Sequence, residues 1–455
     1  MRILLVRPRQ PDATIGLQHI MVVEPLELEV IGALVRPPDT VRIVDLILET
    51  EPLETFLAEE RPDLVGFTGY ITSVGVVRDL AARVKRFDPA IRTIVGGPHA
   101  EVCPEDFDGP DLDFRAVRNA ATAFPLLLAH LAGAGPLPAG VLRMGEVCDR
   151  ARLPAFDFAY PRPRRELTRR YRSRYFYFYQ DRVALLKTAF GCPYTCGFCF
   201  CRLLTEGRHH ARELGPVLEE LEGIREREIY IVDDDFLFSR ERVLAFIEGV
   251  RARGLDKHFQ VYGRADFIAA NPDVLARFRE VGLRVVIVGL ESFSDADLEA
   301  YGKRTPAAVN VQAVEVLNKL DIDIYATFIL GPDWAEAEFA HLDRAMARLK
   351  IRFANLQPLT PLPGVACQVP ADRLLVRRDQ WASWDLAHVT IRPSRLSVAA
   401  YYRQIMVLYQ RLIWRPRNLL RNLKYPLPMQ MRILRGLARI QGQYARARRG
   451  EADRA

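Results

Sequence analysis

Two rhythms of hydrophobic residues alternate along this chain. Short apolar runs are separated by amphipathic stretches at helical spacing. Within residues 1–132, apolar runs at 3–6, 41–44, 64–68, 93–95 and 114–117 read as strands buried on both faces. Periodic stretches such as 27–35 and 76–87 read as helices between them. Strand and helix alternating through short loops predict a parallel sheet, doubly wound in the flavodoxin-like manner. Ligands of such sheets sit beyond the carboxyl ends of the strands, near a topological switch point. Here those ends carry small or polar residues: Asp45, Thr68-Gly69 and Gly96-Gly97-Pro98. Without Cβ atoms, Gly96 and Gly97 let a ligand approach the backbone closely.

A second α/β series begins at Val183. Strands are expected at 183–187, 228–232, 259–263, 284–289, 324–330 and 352–357. Helices are expected at 213–223, 240–253, 273–281, 307–319 and 335–348. The pattern divides the chain into 1–132, a connector at 133–181, a second α/β domain at 182–366 and a helical region at 367–455. The connector is rich in proline, arginine and aromatics. Its run Tyr175-Phe176-Tyr177-Phe178-Tyr179 alternates like a strand, either half-buried between domains or lining the mouth of a site.

Charge changes the picture only at the end of the chain. The net charge is +7, yet thirteen Lys/Arg and only two acidic residues lie after residue 402. The rest of the chain is slightly acidic. The basic tail is interleaved with Trp414, Tyr401, Leu408 and Leu412. Such a tail suits a cap with solvated arginines or contact with an anionic membrane surface, and nucleic acid fits it least. No apolar run of about 18 residues is present that could span a bilayer. The amino terminus reads as a short strand, not a signal peptide. Seven cysteines, three of them clustered, do not form a disulfide framework, and a reducing cytoplasm, with a membrane-peripheral position open, is the expected location.

The clustered cysteines carry the chemistry. Cys192-Pro193-Tyr194-Thr195-Cys196-Gly197-Phe198-Cys199 has CxxxCxxC spacing, preceded by Gly191. Three thiolates on one loop can hold three irons of a [4Fe–4S] cube and leave the fourth open to a small molecule. A zinc site is the alternative, but zinc usually takes four ligands from paired knuckles, and no second knuckle exists. Cys201 is too close to Cys199 to serve well as a fourth ligand.

This motif resembles that of the radical S-adenosylmethionine (SAM) superfamily. The resemblance implies a partial TIM-like (β/α)6 barrel and a cluster whose open iron binds SAM. It implies reductive cleavage of SAM to a 5′-deoxyadenosyl radical, fed by a donor such as flavodoxin or ferredoxin. Phe198 belongs to the motif. The run Asp233-Asp234-Asp235 closes the second strand, where relatives often carry a Gly-Gly-Glu stretch that holds SAM's ammonium group. This chain departs from that stretch, so Asp233 is a candidate with the choice among the three aspartates, or none, left open; a plain N-cap is the alternative. Arg264 and Glu291, after strands three and four, stand where relatives grip the carboxylate and ribose; an Arg264–Glu291 ion pair is the alternative. Pro361-Leu362-Pro363-Gly364 matches the turn that closes the barrel in relatives.

The amino-terminal half resembles the cobalamin-binding domain found before many such barrels. The carrying residues are RILLVRP at the start, EPLELEVIGAL at 24–34, VDL at 44–46, DLVGFTGY at 63–70 and VGGPHA at 95–100. The DxHxxG motif that supplies a lower cobalt ligand is missing, and His19 and His99 are the only nearby histidines. Cobalamin without a protein histidine is therefore expected, with Gly96 and Gly97 near the corrin. In motif order the chain is similar to cobalamin-dependent radical SAM enzymes, nearest to hopanoid C-3 methylase-like proteins. The implied function is methylation of an unactivated carbon on a small-molecule or lipid-like substrate, using the 5′-deoxyadenosyl radical and methylcobalamin. A radical rearrangement, cyclisation or oxidation without methyl transfer is the alternative within the class. A non-enzymatic cobalamin or redox sensor is the alternative outside it.

Overall fold

The computed structural model describes residues 1–452, with the side chains of 451 and 452 left aside. The chain divides into two compact units. The first holds Met1–Thr14, Glu24–Arg174 and Arg378–Asp385; the second holds Ile15–Val23, Tyr175–Arg377 and Leu386–Ala455. The expected connector is thus split at 174/175, and two short segments are exchanged. Residues 15–23 go with the second unit and residues 378–385 with the first.

In the first unit, strands Arg2–Arg7, Thr40–Asp45, Leu64–Thr68, Arg92–Gly96 and Phe114–Ala116 pair in parallel. Thr40–Asp45 lies at one edge, beside Arg2–Arg7, and Leu64–Thr68 joins on the other side of Arg2–Arg7, so the strand order reverses between Arg2–Arg7 and Leu64–Thr68. A sixth strand, Val141–Arg143, adds antiparallel beside Phe114–Ala116. The interior strands read as unbroken apolar runs because helices cover both faces, and Leu64–Thr68 is buried at every residue. Two separate apolar cores, one per face, confirm the doubly wound layering.

The arginine-rich connector has a structural use. Glu24 and Glu29 are buried at the start of helix Leu26–Gly32. Arg165 pairs with Glu24 at 2.5 Å, and Arg172 bonds both glutamates, reaching Glu29 at 3.0 Å. Burial and the neighbouring Glu24 charge push Glu29 up to about 8. Buried carboxylates without such partners would cost several kcal/mol each, roughly.

In the second unit, strands Ala184–Leu186, Glu228–Ile231, His258–Gly263, Leu283–Glu291, Asp323–Leu330 and Phe353–Pro358 form one parallel sheet in sequence order. Helices Leu214–Glu222, Arg240–Ala252, Pro272–Glu280, Ala307–Lys319 and Glu336–Arg348 connect them, giving the expected partial barrel. The aromatic run does not line the carboxyl end. Phe176–Tyr177 is a two-residue strand paired with Met21–Val22. Tyr177 packs on Tyr230 and Tyr325, and the run borders a cavity of about 320 Å³ with Glu228, His258, Asp323 and Phe353. Those four residues begin their strands, so the run plugs the amino end of the barrel. A hairpin of helices, Val398–Trp414 and Leu427–Ala452, packs on the barrel core through Tyr401, Ile405, Leu408 and Tyr444.

Candidate active site

The cluster loop leaves the first barrel strand and is fastened from several sides. Gly191 has φ +75, and a Cβ there would collide with the Arg208 carbonyl and Thr205, so only glycine fits the turn. A short antiparallel pair, Ala189–Phe190 with His210–Ala211, closes the base of the loop. Gly197 donates its N–H to the Tyr301 carbonyl at 3.1 Å and accepts from Cys367 N–H at 2.9 Å. The 361–364 turn, with Gly364 at φ +85, delivers Cys367 to that contact. The loop is therefore held between the chain after the fourth strand and the chain after the sixth.

Cys192, Cys196 and Cys199 are half-buried on this loop and form no disulfide. Three thiolates on one loop can each take a different iron of a [4Fe–4S] cube. Burial raises Cys192 to about 11 and raises Cys196. Cys201 keeps its proton and hydrogen-bonds Cys199, which lowers Cys199 and raises Cys201. That places Cys201 as a neighbour of the donor set. Phe198 meets Tyr301 edge-on at 6.2 Å and lines a cavity of about 1160 Å³ beside the loop.

The aspartate run resolves into distinct roles. Asp233 is buried, and its carboxylate accepts from Thr188 N–H at 2.6 Å, Ala189 N–H at 2.9 Å and the Thr188 hydroxyl. It staples the start of the cluster loop to the end of the second strand and is not free for SAM's ammonium group. Asp235 is different. It is 4% exposed, and neither carboxylate oxygen has a hydrogen-bond partner among the described residues. Burial raises it to about 7, against the pull of Arg264 and Lys303. An orphaned buried carboxylate is costly and marks a place where a cation belongs.

Arg264 and Glu291 do not pair with each other. Arg264 donates to Asp266 at 2.8 Å and Thr305 at 3.0 Å, and its guanidinium lies 3.8 Å from the centre of the Tyr194 ring. Glu291 ends its strand at φ +61, after a bulge, and accepts from the Lys303 ammonium at 3.0 Å. Gly289 makes room for this pair, because a Cβ there would strike the Glu291 carboxylate. Lys303 and Asp235 were not singled out from the sequence. Asp235 is marked only by its place in the aspartate run, and Lys303 carries no local signal.

In the first unit, Gly97 has φ +101, and a Cβ there would lie 2.9 Å from Gly69 N and 3.0 Å from Thr68 Oγ1. Gly96 looks only onto Ala116 at 3.6 Å. At Gly96 and Gly97 this strand end therefore presents backbone, with the Thr68 hydroxyl close beside Gly97. His99 is buried and hydrogen-bonded to Asp106 at 2.6 Å, and Arg378 also reaches Asp106, at 2.7 Å. His19 belongs to the second unit. Burial and the charges of Arg439 and Arg446 lower its pKa.

These features define a cluster-bearing barrel joined in one chain to a B12-type domain. The B12 binding domain family matches residues 21–128, and the radical SAM superfamily matches residues 186–346. The chain thus carries a B12-binding domain followed by a radical SAM domain, and it is an enzyme. It is 28% identical over 405 residues to hopanoid C-3 methylase of Methylococcus capsulatus, covering 85% of this chain and 77% of that protein. It is 30% identical over 162 residues to the anaerobic magnesium-protoporphyrin IX monomethyl ester cyclase of Cereibacter sphaeroides, covering 33% of this chain and 26% of the cyclase. The fold matches the radical SAM methyltransferase TsrM of Kitasatospora setae, solved with cobalamin and a [4Fe-4S] cluster. The TM-score is 0.65 at 18% identity, covering 90% of this chain and 88% of TsrM.

Proposed function

We propose that this chain is a cobalamin-dependent radical SAM C-methyltransferase acting on an unactivated carbon of a small-molecule or lipid-like substrate. The observation that carries the reading is the three-cysteine loop at the carboxyl end of a partial barrel, beside a buried carboxylate with no partner. Cys192, Cys196 and Cys199 hold the [4Fe–4S] cluster. Asp235 takes the SAM ammonium group in place of Asp233. Arg264 takes the SAM carboxylate, and Glu291, oriented by Lys303, takes the ribose hydroxyls. Phe198 packs beside the nucleoside. Gly96 and Gly97 would border the corrin. When bound, the cluster supplies the electron that opens SAM to the 5′-deoxyadenosyl radical, and methylcobalamin supplies the methyl group.

A flavodoxin- or ferredoxin-like donor is the expected electron source. No helix among the described residues is long and apolar enough to cross a membrane. The cytoplasm, with peripheral contact to a membrane, is the proposed location. Similarity to the cyclase supports a second reading, radical chemistry without methyl transfer. Anaerobic reconstitution with SAM, cobalamin and a reductant separates the two. Deoxyadenosine together with S-adenosylhomocysteine is the expected result. Deoxyadenosine alone selects the second reading, and neither product removes both.

A further inference from the structure

The carboxyl-terminal hairpin bends at the end of the barrel opposite the cluster loop. Helix Val398–Trp414 starts near the carboxyl end, where the Tyr401 hydroxyl donates to the Gly331 carbonyl at 2.9 Å. The bend lies at the amino end. There Arg352 donates to Asn422 at 3.1 Å, Arg421 pairs with Asp321 at 2.9 Å, and Tyr425 stacks on Tyr179 at 4.1 Å. Helix Leu427–Ala452 then runs back.

This bend exposes large apolar side chains. Trp414, Leu420, Leu423 and Leu427 are 61–69% exposed. Leu427, Met431 and Leu434 recur at i, i+4 and i+7, so they share one face of the last helix, and all three are exposed. Leu434 and the exposed Leu419 also line an apolar crevice of about 90 Å³ that reaches in to Phe353 and Tyr409. Grouped exposure of this kind marks a contact surface, whereas single exposed leucines need no explanation.

The charges around it select the occupant. Residues 386–450 contain no aspartate or glutamate, and six Lys/Arg lie between 414 and 435. Several serve the fold: Arg415 pairs with Asp343, Arg421 with Asp321, and Arg432 with Asp181. Arg417 and Arg435 are exposed and form no ion pair with the described residues. Apolar side chains with a tryptophan, on a segment that carries cations and no carboxylate of its own, complement the interface of an anionic bilayer, and the exposed carboxylates beside it, Asp321 and Asp181, are paired with Arg421 and Arg432.

We infer that the bend at 414–435 is a membrane-docking surface that inserts its leucines and Trp414 into an anionic leaflet. This deepens the peripheral contact proposed above and does not depend on the radical chemistry. Docking through this bend leaves the cluster end of the barrel turned away from the bilayer.

The test is flotation of the reconstituted full-length protein with phosphatidylcholine vesicles, with and without about one third phosphatidylglycerol. Wild type should float with anionic vesicles only, and less as salt rises. Trp414 emission should shift to the blue, a shift that Trp414→Phe removes. The variant L420E/L423E/L427E changes exposed side chains and should keep its iron and corrin content while its bound fraction falls about tenfold or more. The variant R417E/R435E should weaken binding about fivefold or more per residue changed. Wild type that stays soluble at low salt overturns the inference. So does a triple variant that floats like wild type, or a dimer that the triple variant abolishes without any vesicle binding. Iron and corrin assays on the same samples report failure of the enzymatic reading separately.

Discussion

Both units end their parallel strands in polar residues, but they spend those residues differently. In the first unit the acids at two of these places are paired. Asp45, fully buried, pairs with Arg7 at 3.3 Å, and Asp106 is shared by His99 and Arg378. At Gly96 and Gly97 the strand end presents backbone. In the second unit, charged side chains remain poised: Asp235 has no partner, and Glu291 holds only Lys303 among the described residues. The difference fits the two cofactors. A broad ring with its own metal needs a smooth edge. A small zwitterion on a cluster needs charged groups at defined positions, because hydrogen bonds to charged groups are worth about 1.5–3 kcal/mol each.

The comparison breaks most sharply at the cluster. Cys192→Ala, Cys196→Ala or Cys199→Ala should abolish both the [4Fe–4S] signal and SAM cleavage, read by iron analysis and deoxyadenosine assay. Cys201→Ala should retain both. Four irons per chain persisting in Cys196→Ala would contradict the assignment.

A smaller effect should separate the two aspartates. Asp235→Asn should weaken SAM binding by about 10- to 100-fold, the loss of one charge-assisted bond. Its iron content should stay normal. Asp233→Asn should instead loosen the cluster loop, lowering iron retention and thermal stability, because an amide NH2 replaces the oxygen that accepts from the Thr188 hydroxyl and the bonds from the Thr188 and Ala189 N–H groups lose their charge assistance. Equal SAM affinities in Asp235→Asn and wild type would return the ammonium site to another group.

In the first unit, backbone changes should matter more than histidines. Gly97→Ala must adopt φ +101 and crowd Gly69, so it should cost about 1–3 kcal/mol and reduce corrin retention. His19→Ala should leave the cobalt spectrum unchanged. His99→Ala should leave it unchanged too, with some loss of stability from the broken Asp106 contact.

The smallest effect concerns acid stability. Asp113 accepts from Lys85 at 2.6 Å and from Thr93 N–H at 2.8 Å. Burial opposes these bonds, but together they hold its carboxyl below the ordinary range. A depressed folded pKa gives stability that is present above the unfolded pKa and lost as pH falls through the folded value. Asp113→Asn should therefore cost about 1 kcal/mol at neutral pH and nothing in strong acid, seen in denaturant midpoints across pH.

Much of this was legible in the sequence, for a physical reason. Strands buried on both faces announce themselves as apolar runs, and all eleven strands read from those runs form within a residue or two of the expected positions. The cysteine loop was legible because ligand spacing along one loop is local. What escaped is what tertiary pairing decides. Nothing in Asp233-Asp234-Asp235 tells which carboxylate meets the N–H groups of Thr188 and Ala189 and which is stranded. Nor does Lys303 announce its approach to Glu291. The antiparallel edge strand Val141–Arg143 is too short to register as a pattern, and the Tyr175–Tyr179 run alternates like a strand wherever it packs. The pairing of the connector arginines Arg165 and Arg172 with the buried Glu24 and Glu29 joins residues far apart in the chain, which no local pattern marks.

The central claim is that one chain carries both a SAM-cleaving cluster and a working corrin. Its most direct test is anaerobic incubation of the reconstituted protein with SAM bearing a deuterated methyl group, cobalamin and a strong reductant. The account predicts about four irons and one corrin per chain, deuterated methyl on the corrin, and 5′-deoxyadenosine in the same sample. SAM cleavage by a chain that retains no corrin, or a corrin that never receives the labelled methyl group, would contradict it.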